Sequence, residues 1–278
     1  MKDLKSFNGK RLKIARTLKE MSISELADAL DLQRQTVSMY ESGKISNPDF
    51  PKVQKMSQLL NFPIDFFLDS DTELVKAAPS TYFRSLLTTN KKYRYEQEIK
   101  INFVSTIYAY LSEYITFPQV NLPVIYDNDN IEDIAERLRE CWNLGCGPID
   151  NLIFHAEQNG IILTSFATTT SDIDAFSQKI NINDEERYIV ALSKNKNTAS
   201  RLHFDVAHEL GHIMLHDWED DIEKLPPSEF REREQQANDF ASAFLLPRDI
   251  FIKEVGKYAD ELNYYIELKK KCRYLLPQ

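Results

Sequence analysis

The sequence predicts an α+β protein in two parts. An all-α N-terminal domain of five short helices precedes a C-terminal domain in which a small antiparallel sheet sits among helices, one of them carrying His208-Glu209-Leu210-Gly211-His212. Three observations carry this prediction. Residues 7–68 are a run of short amphipathic segments separated by turn residues. Between Ile161 and Leu192 the texture changes to short runs rich in β-branched and aromatic residues. From about Ser200 the apolar residues return to helical spacing.

Length and composition support two domains and narrow the class. With 278 residues, each part can bury a core without disulfides. A hydrophobic fraction of 42% and a charged fraction of 28% exclude a disordered chain. Cys141, Cys146 and Cys272 make an odd count with no Cys-x-x-Cys pair, and read as reduced thiols rather than a disulfide frame or thiolate zinc site. The N-terminal Met-Lys-Asp-Leu-Lys has no apolar signal core, and no stretch approaches a membrane span in length. The expectation is a cytoplasmic protein with no membrane partner. The net charge of −9 argues against broad, nonspecific nucleic-acid binding, but it is uneven. Residues 1–70 hold 11 Lys and Arg against 9 Asp and Glu, whereas the remainder holds 23 against 34. The basic excess at one end hints at a local phosphate-binding surface.

The first domain, residues 1–70, has a recognisable centre. Ser22-Ile23-Ser24-Glu25 has the form of a capping box. Leu26, Ala27, Ala29 and Leu30 supply a small apolar face, and Asp31-Leu32 makes a tight turn into a second helix. There Val37 and Tyr40 face a core, while Gln33, Arg34, Gln35, Thr36 and Ser38 face outward. Gln and Arg offer paired bonds to base edges, and Thr and Ser reach phosphates or bases. Glu25-Leu26-Ala27, then Thr36-Val37-Ser38-Met39-Tyr40-Glu41-Ser42-Gly43-Lys44, resembles the Cro/XRE repressor-type helix-turn-helix family, with Val53, Met56, Leu59, Leu60, Asn61 and Phe66-Phe67 matching its last two helices. The resemblance implies a double-stranded DNA operator as partner and a homodimer that reads paired half-sites. The sequence departs from the family at Asp31, where glycine is usual; aspartate tolerates the left-handed conformation better than most residues.

Residues 71–130 read as a linker and connecting helix. The acidic and alanine-containing stretch 69–80, with Pro79, is a connector. Residues 91–117 follow a helical pattern through Ile99, Phe103, Ile107, Tyr110, Leu111 and Tyr114, and are a candidate dimer surface. Residues 118–130, with Pro118, Pro123 and several Asn and Asp, form a loop.

The second domain, residues 131–278, opens with two helices, 131–143 and 148–159. The runs 161–166, 174–177 and 188–192 follow as strands, and the last of these could pair with an extended substrate. The helix from about Ser200 to His216 buries Val206, Leu210 and Ile213. Residues four apart lie one turn apart on one face, so His208 and His212 can present two imidazoles to one Zn²⁺. Glu209 beside them is placed to take a proton from a water at the metal. Gly211 weakens the helix by roughly 1 kcal/mol relative to alanine, which a close approach of another backbone would explain.

A catalytic site of this kind needs a third protein ligand. His216 lies another turn along, about 12 Å from His208, too far for one ion with bonds near 2 Å; it caps the helix end or shapes the cleft. The longer metzincin spacing fails, because Leu215 and Trp218 stand where glycine and histidine are needed. Glu234 is the better candidate. It emerges on the same face as Ala237, Phe240, Ala241, Phe244 and Leu245, where a lone carboxylate is costly unless a cation relieves it. Asn238, one turn later, can orient a ligand by a hydrogen bond. Tyr188 and His203 are candidate oxyanion stabilisers. The short basic cluster Lys269–Arg273 reads as a solvated helix end.

The segment Arg201 to His216, followed by Glu234-x-x-Ala-Asn-x-Phe-Ala and Leu245-Leu246-Pro247, resembles the ImmA/IrrE family of metallopeptidases. Arg137-Leu138, Trp142 and Pro148-Ile149 match its upstream helices. With the N-terminal match, the chain is similar to the fused helix-turn-helix and ImmA/IrrE proteins of bacteria and their phages. The resemblance implies a zincin-like fold, zinc at His208, His212 and Glu234, and Glu209 as the catalytic residue. It further implies cleavage of a repressor-type protein, or of the chain itself, to relieve repression. The competing expectation is a transcriptional regulator or antitoxin-like protein whose metal domain senses or scaffolds without proteolysis.

Overall fold

Helix starts leave backbone N–H groups without partners, and the first helices of this chain begin where a side chain supplies one. The computed structural model describes residues 6–68, 81–82, 91–126, 128–166, 175–194, 199–218 and 225–256. The expected connector 69–80, Cys272 and the basic cluster at 269–273 lie outside them. Helix α1 (Gly9–Leu18) follows Asn8, whose Oδ1 accepts from the N–H groups of Lys10 and Arg11. Helix α2 (Ile23–Leu30) has the predicted capping box: Glu25 N–H donates to Ser22 Oγ at 3.1 Å, and Ser22 N–H donates to Glu25 Oε2 at 2.6 Å. Asp31 ends α2 in the left-handed conformation at φ 58°, so aspartate does fill the turn position usually given to glycine. Helices α3 (Arg34–Glu41), α4 (Phe50–Leu60) and α5 (Ile64–Leu68) complete the five.

Leu12, Leu26, Val37, Met56, Leu60 and Phe67 are the buried centre of this bundle. At Gly9 a Cβ would lie 1.8 Å from the carbonyl oxygen of Tyr40, so only glycine lets α1 start against the end of α3. Arg16 grips Glu41 with two bonds, Nε–Oε1 at 2.5 Å and Nη2–Oε2 at 3.0 Å, which ties α1 to α3.

The chain divides into two compact units, Met1–Lys76 with Lys92–Phe103, and Ala77–Lys91 with Val104–Gln278. Helix α6 (Lys91–Leu111) is shared between them. It stops at Leu111, where residues 112–115 turn, six residues short of the predicted end.

The second unit holds α7 (Ile131–Cys141), α8 (Leu152–Gln158), strands β1 (Thr81–Tyr82), β2 (Ile161–Phe166), β3 (Ala175–Ile182) and β4 (Glu185–Ser193), and helices α9 (Ala199–Leu215), α10 (Pro227–Leu245) and α11 (Arg248–Val255). The α+β class and the small sheet are as predicted, but the sheet is mixed. Its order is β1-β3-β4-β2. Strands β3 and β4 form an antiparallel hairpin closed by Asn183 and Asp184, both at positive φ. Strand β2 pairs in parallel with the other edge of β4, from Ile161 opposite Tyr188 to Phe166 opposite Ser193. The reason is visible in β4, where Ile189, Val190, Ala191 and Leu192 are all buried. A continuous apolar run marks a strand covered on both faces, where parallel neighbours occur. Because both edges of β4 are taken, Tyr188–Leu192 is not the open edge for a substrate strand that the sequence offered.

Helix α9 packs against the sheet and against α10 through Val206, Leu210, Phe240 and Phe244. A Cβ on Gly211 would meet Ala237 Cα at 3.0 Å, which is the predicted close approach. Buried Arg139 on α7 donates to the carbonyls of Gly145, Gly147 and Phe244, pinning the following loop to the end of α10. Cys141 and Cys146 are free thiols. Among the described residues no helix is long and apolar enough to cross a membrane.

Candidate functional site

Helix α9 brings His208 and His212 onto one face, one turn apart, and both are buried. Their Nε2 atoms lie 3.0 Å apart. Helix α10 presents Glu234, also buried, with Oε1 3.4 Å from His212 Nε2 and Oε2 3.7 Å from His208 Nε2. The three residues offer one ligand atom each, all within 4.8 Å of one another. Ligands bonded at 2.0–2.1 Å to a tetrahedral ion sit about 3.3 Å apart. The observed separations bracket that value, and the donor set of two imidazoles and a carboxylate suits a borderline divalent cation. The residues present therefore fit a metal ion with a remaining open position.

Glu209 is next to His208 and turns toward the sheet. Ser177 Oγ on β3 donates to Glu209 Oε2 at 2.6 Å, and both residues are buried. Hydrogen bonds to a charged acceptor are short and strong, so Ser177 holds the carboxylate in one rotation. Ser177 was not singled out from the sequence. Its signal was faint: a small hydroxyl among the other polar residues of the same strand, Gln178, Lys179 and Asn181. Strand β1 meets β3 here too, with Tyr82 opposite Ser177 and Thr81 opposite Gln178.

The outer nitrogens of both imidazoles are engaged. His208 Nδ1 lies 3.0 Å from Asn238 Oδ1. His212 Nδ1 lies 2.9 Å from His216 Nδ1, and His216 Nε2 lies 3.1 Å from Gln236 Oε1. Burial, helped by neighbouring His212, pushes the His216 pKa down to about 4, so its ring is neutral at neutral pH. His216 thus neither joins the three-ligand cluster nor simply caps the helix; it contacts a member of the cluster from behind. Tyr188 is half-buried against the Trp218 ring, centroids 5.6 Å apart, and burial raises its pKa. His203 is buried on α9, outside the cluster.

The Phe204 ring is tilted beside His208, with centroids 6.4 Å apart. From Phe204 a groove of about 1230 Å³ runs between α7, α10 and α11. Leu246 and Phe251 line it with the carboxyls of Glu132, Glu136 and Asp239.

In the first unit, Gln33, Arg34, Gln35 and Ser38 are exposed and Thr36 is half-buried, while Val37 and Tyr40 face the core. The start of α3 therefore offers polar, hydrogen-bonding side chains to solvent, joined to α2 by the Asp31 turn.

Residues 12–67 match the family described as helix-turn-helix, and residues 156–273 match the peptidase family described as the IrrE N-terminal-like domain. Arg137, Leu138, Trp142 and Pro148-Ile149 lie upstream of the second match. No curated protein and no solved structure matches the chain.

Proposed function

We propose that this chain, which matches a helix-turn-helix family over residues 12–67 and the IrrE N-terminal-like peptidase family over residues 156–273, is a DNA-binding transcriptional regulator that carries its own zinc-dependent endopeptidase. The substrate is a repressor-type protein or a second copy of this chain, and its cleavage relieves repression. One observation carries the peptidase half: His208, His212 and Glu234 converge at tetrahedral spacing with Glu209 beside them.

His208, His212 and Glu234 would hold a zinc ion, which would supply Lewis acidity toward a water and the scissile carbonyl. Glu209 takes the proton from the attacking water and delivers it to the leaving amine. Ser177 fixes the Glu209 carboxylate for both transfers. An extended substrate segment would have to take the place of Thr81–Tyr82, which already pair with β3 at Gln178 and Ser177. The groove from Phe204, apolar with carboxyls along its wall, suits basic and apolar side chains of the kind that DNA-contacting segments carry.

For the regulatory half, Gln33, Arg34, Gln35, Thr36 and Ser38 enter a major groove and read an operator. A homodimer supplies the second half-site. Exposed Ile107, Tyr110, Leu111, Tyr114 and Ile115 offer an apolar surface for it.

The test is a pair of variants of the full chain. Glu209→Gln keeps its zinc, read by elemental mass spectrometry, and loses cleavage. Glu234→Ala loses zinc. Unchanged cleavage by Glu209→Gln would remove the mechanism. Intact operator release by that variant, with zinc retained, would assign the domain a sensing role instead.

A further inference from the structure

We propose that His216 and Gln236 are a positioning pair that sets which nitrogen of His212 carries the hydrogen, and thereby makes His212 able to bind a metal. This rests on the reading of His208, His212 and Glu234 as the metal site. It goes beyond that reading by giving a role to a third histidine that no ligand set includes.

The argument is a hydrogen count along a chain of three side chains. Gln236 Oε1, on α10, is 3.1 Å from His216 Nε2. A carbonyl oxygen only accepts, so His216 Nε2 carries the hydrogen. In a neutral imidazole the other nitrogen is then bare. That nitrogen, Nδ1, faces His212 Nδ1 at 2.9 Å. Two ring nitrogens at that separation need a hydrogen or a cation between them, and with His216 Nδ1 bare the hydrogen here belongs to His212 Nδ1. The His212 Nε2 is consequently bare. It is the nitrogen that stands 3.0 Å from His208 Nε2 and 3.4 Å from Glu234 Oε1.

Asn238 does the same for His208 in one step, since its Oδ1 lies 3.0 Å from His208 Nδ1. Both Nε2 lone pairs then point at one spot beside a carboxylate, an arrangement that a cation relieves. Reversing the chain would put a hydrogen on His212 Nε2, at the point the ion must occupy.

The spacing explains why a histidine serves at this position. Residue 216, immediately past the end of α9, is one turn beyond 212, so its ring reaches the back of the His212 ring. Its second nitrogen then crosses to α10, the helix that also carries Glu234 and Asn238. The pair thus orients the His212 ring as well as its hydrogen. Partners of this kind typically change metal affinity about 10- to 100-fold.

The experiment uses the full chain, stripped of metal and titrated with zinc against a chromophoric chelator. Side-chain ¹⁵N spectra of the metal-free chain read the tautomer of His212 directly. His216→Leu is expected to lower zinc affinity about 10- to 100-fold, and to leave His212 a mixture of tautomers. His216→Asn, whose Oδ1 stands at the bond position of Nδ1, retains an acceptor and restores most of the affinity. Gln236→Leu gives the same direction as His216→Leu from the other helix, should His216→Leu fail to fold. Equal affinity in the parent and His216→Leu would overturn the proposal. So would His216→Asn as weak as His216→Leu, or a parent His212 with its hydrogen on Nε2. A parent that binds no zinc sinks the metal reading alone, and the tautomer measured in the same sample still decides the relay.

Discussion

Replacing Gly211 by alanine tests how the two halves of the metal site are held together. In an isolated helix this change stabilises by about 1 kcal/mol. In α9 the new Cβ would lie 3.0 Å from Ala237 Cα, 3.1 Å from Ala237 O and 3.2 Å from Phe240 Cδ1. Carbon contacts are relaxed near 3.5–4.0 Å, so α10 must retreat by roughly 0.5 Å. Two of the three neighbours are backbone atoms, which no rotamer change can move aside. Overpacking of this kind costs about 1–3 kcal/mol. Subtracting the propensity gain leaves a net destabilisation of about 1 kcal/mol, which lowers the unfolding midpoint by about 2–4 °C in a domain of this size. The same retreat moves Glu234, three residues before Ala237, away from His208 and His212, so zinc affinity falls several-fold. Thermal unfolding and zinc titration of the two proteins measure both effects. A higher midpoint with unchanged zinc affinity would refute the reasoning, because propensity would then have outweighed the contact.

Three further outcomes follow from the same geometry. Ser177→Ala removes a 2.6 Å hydrogen bond to a buried carboxylate; such bonds contribute about 1.5–3 kcal/mol, so cleavage slows at least about tenfold while zinc content stays at the parent level. Glu41→Ala leaves Arg16 buried without its carboxylate, where the side chains are only 11% and 7% exposed; the helical domain loses about 3 kcal/mol, measured by denaturant unfolding. Arg34→Ala weakens binding to DNA selected from a random pool by about 1–3 kcal/mol, read by fluorescence anisotropy at fixed salt, and equal affinity would remove Arg34 from the interface.

The parts of this protein that were legible in the sequence are those governed by neighbours a few residues apart. The capping box at Ser22 and Glu25, the left-handed Asp31, the outward side chains of α3 and the shared face of His208 and His212 all follow from helical geometry alone. Glu234 could be read from further away because a carboxylate on an otherwise apolar helical face needs a partner. Periodicity reports which side of an element is apolar, and it does not report which element meets that side. The meeting of α9 with α10 at Gly211, the parallel pairing of β2 with β4 and the Ser177 contact with Glu209 therefore appear only in the folded chain. So does the use of His216. Spacing alone excludes it as a ligand and places it at the helix end. Only the arrival of Gln236 from a second helix, 20 residues away, gives its ring two partners and a direction.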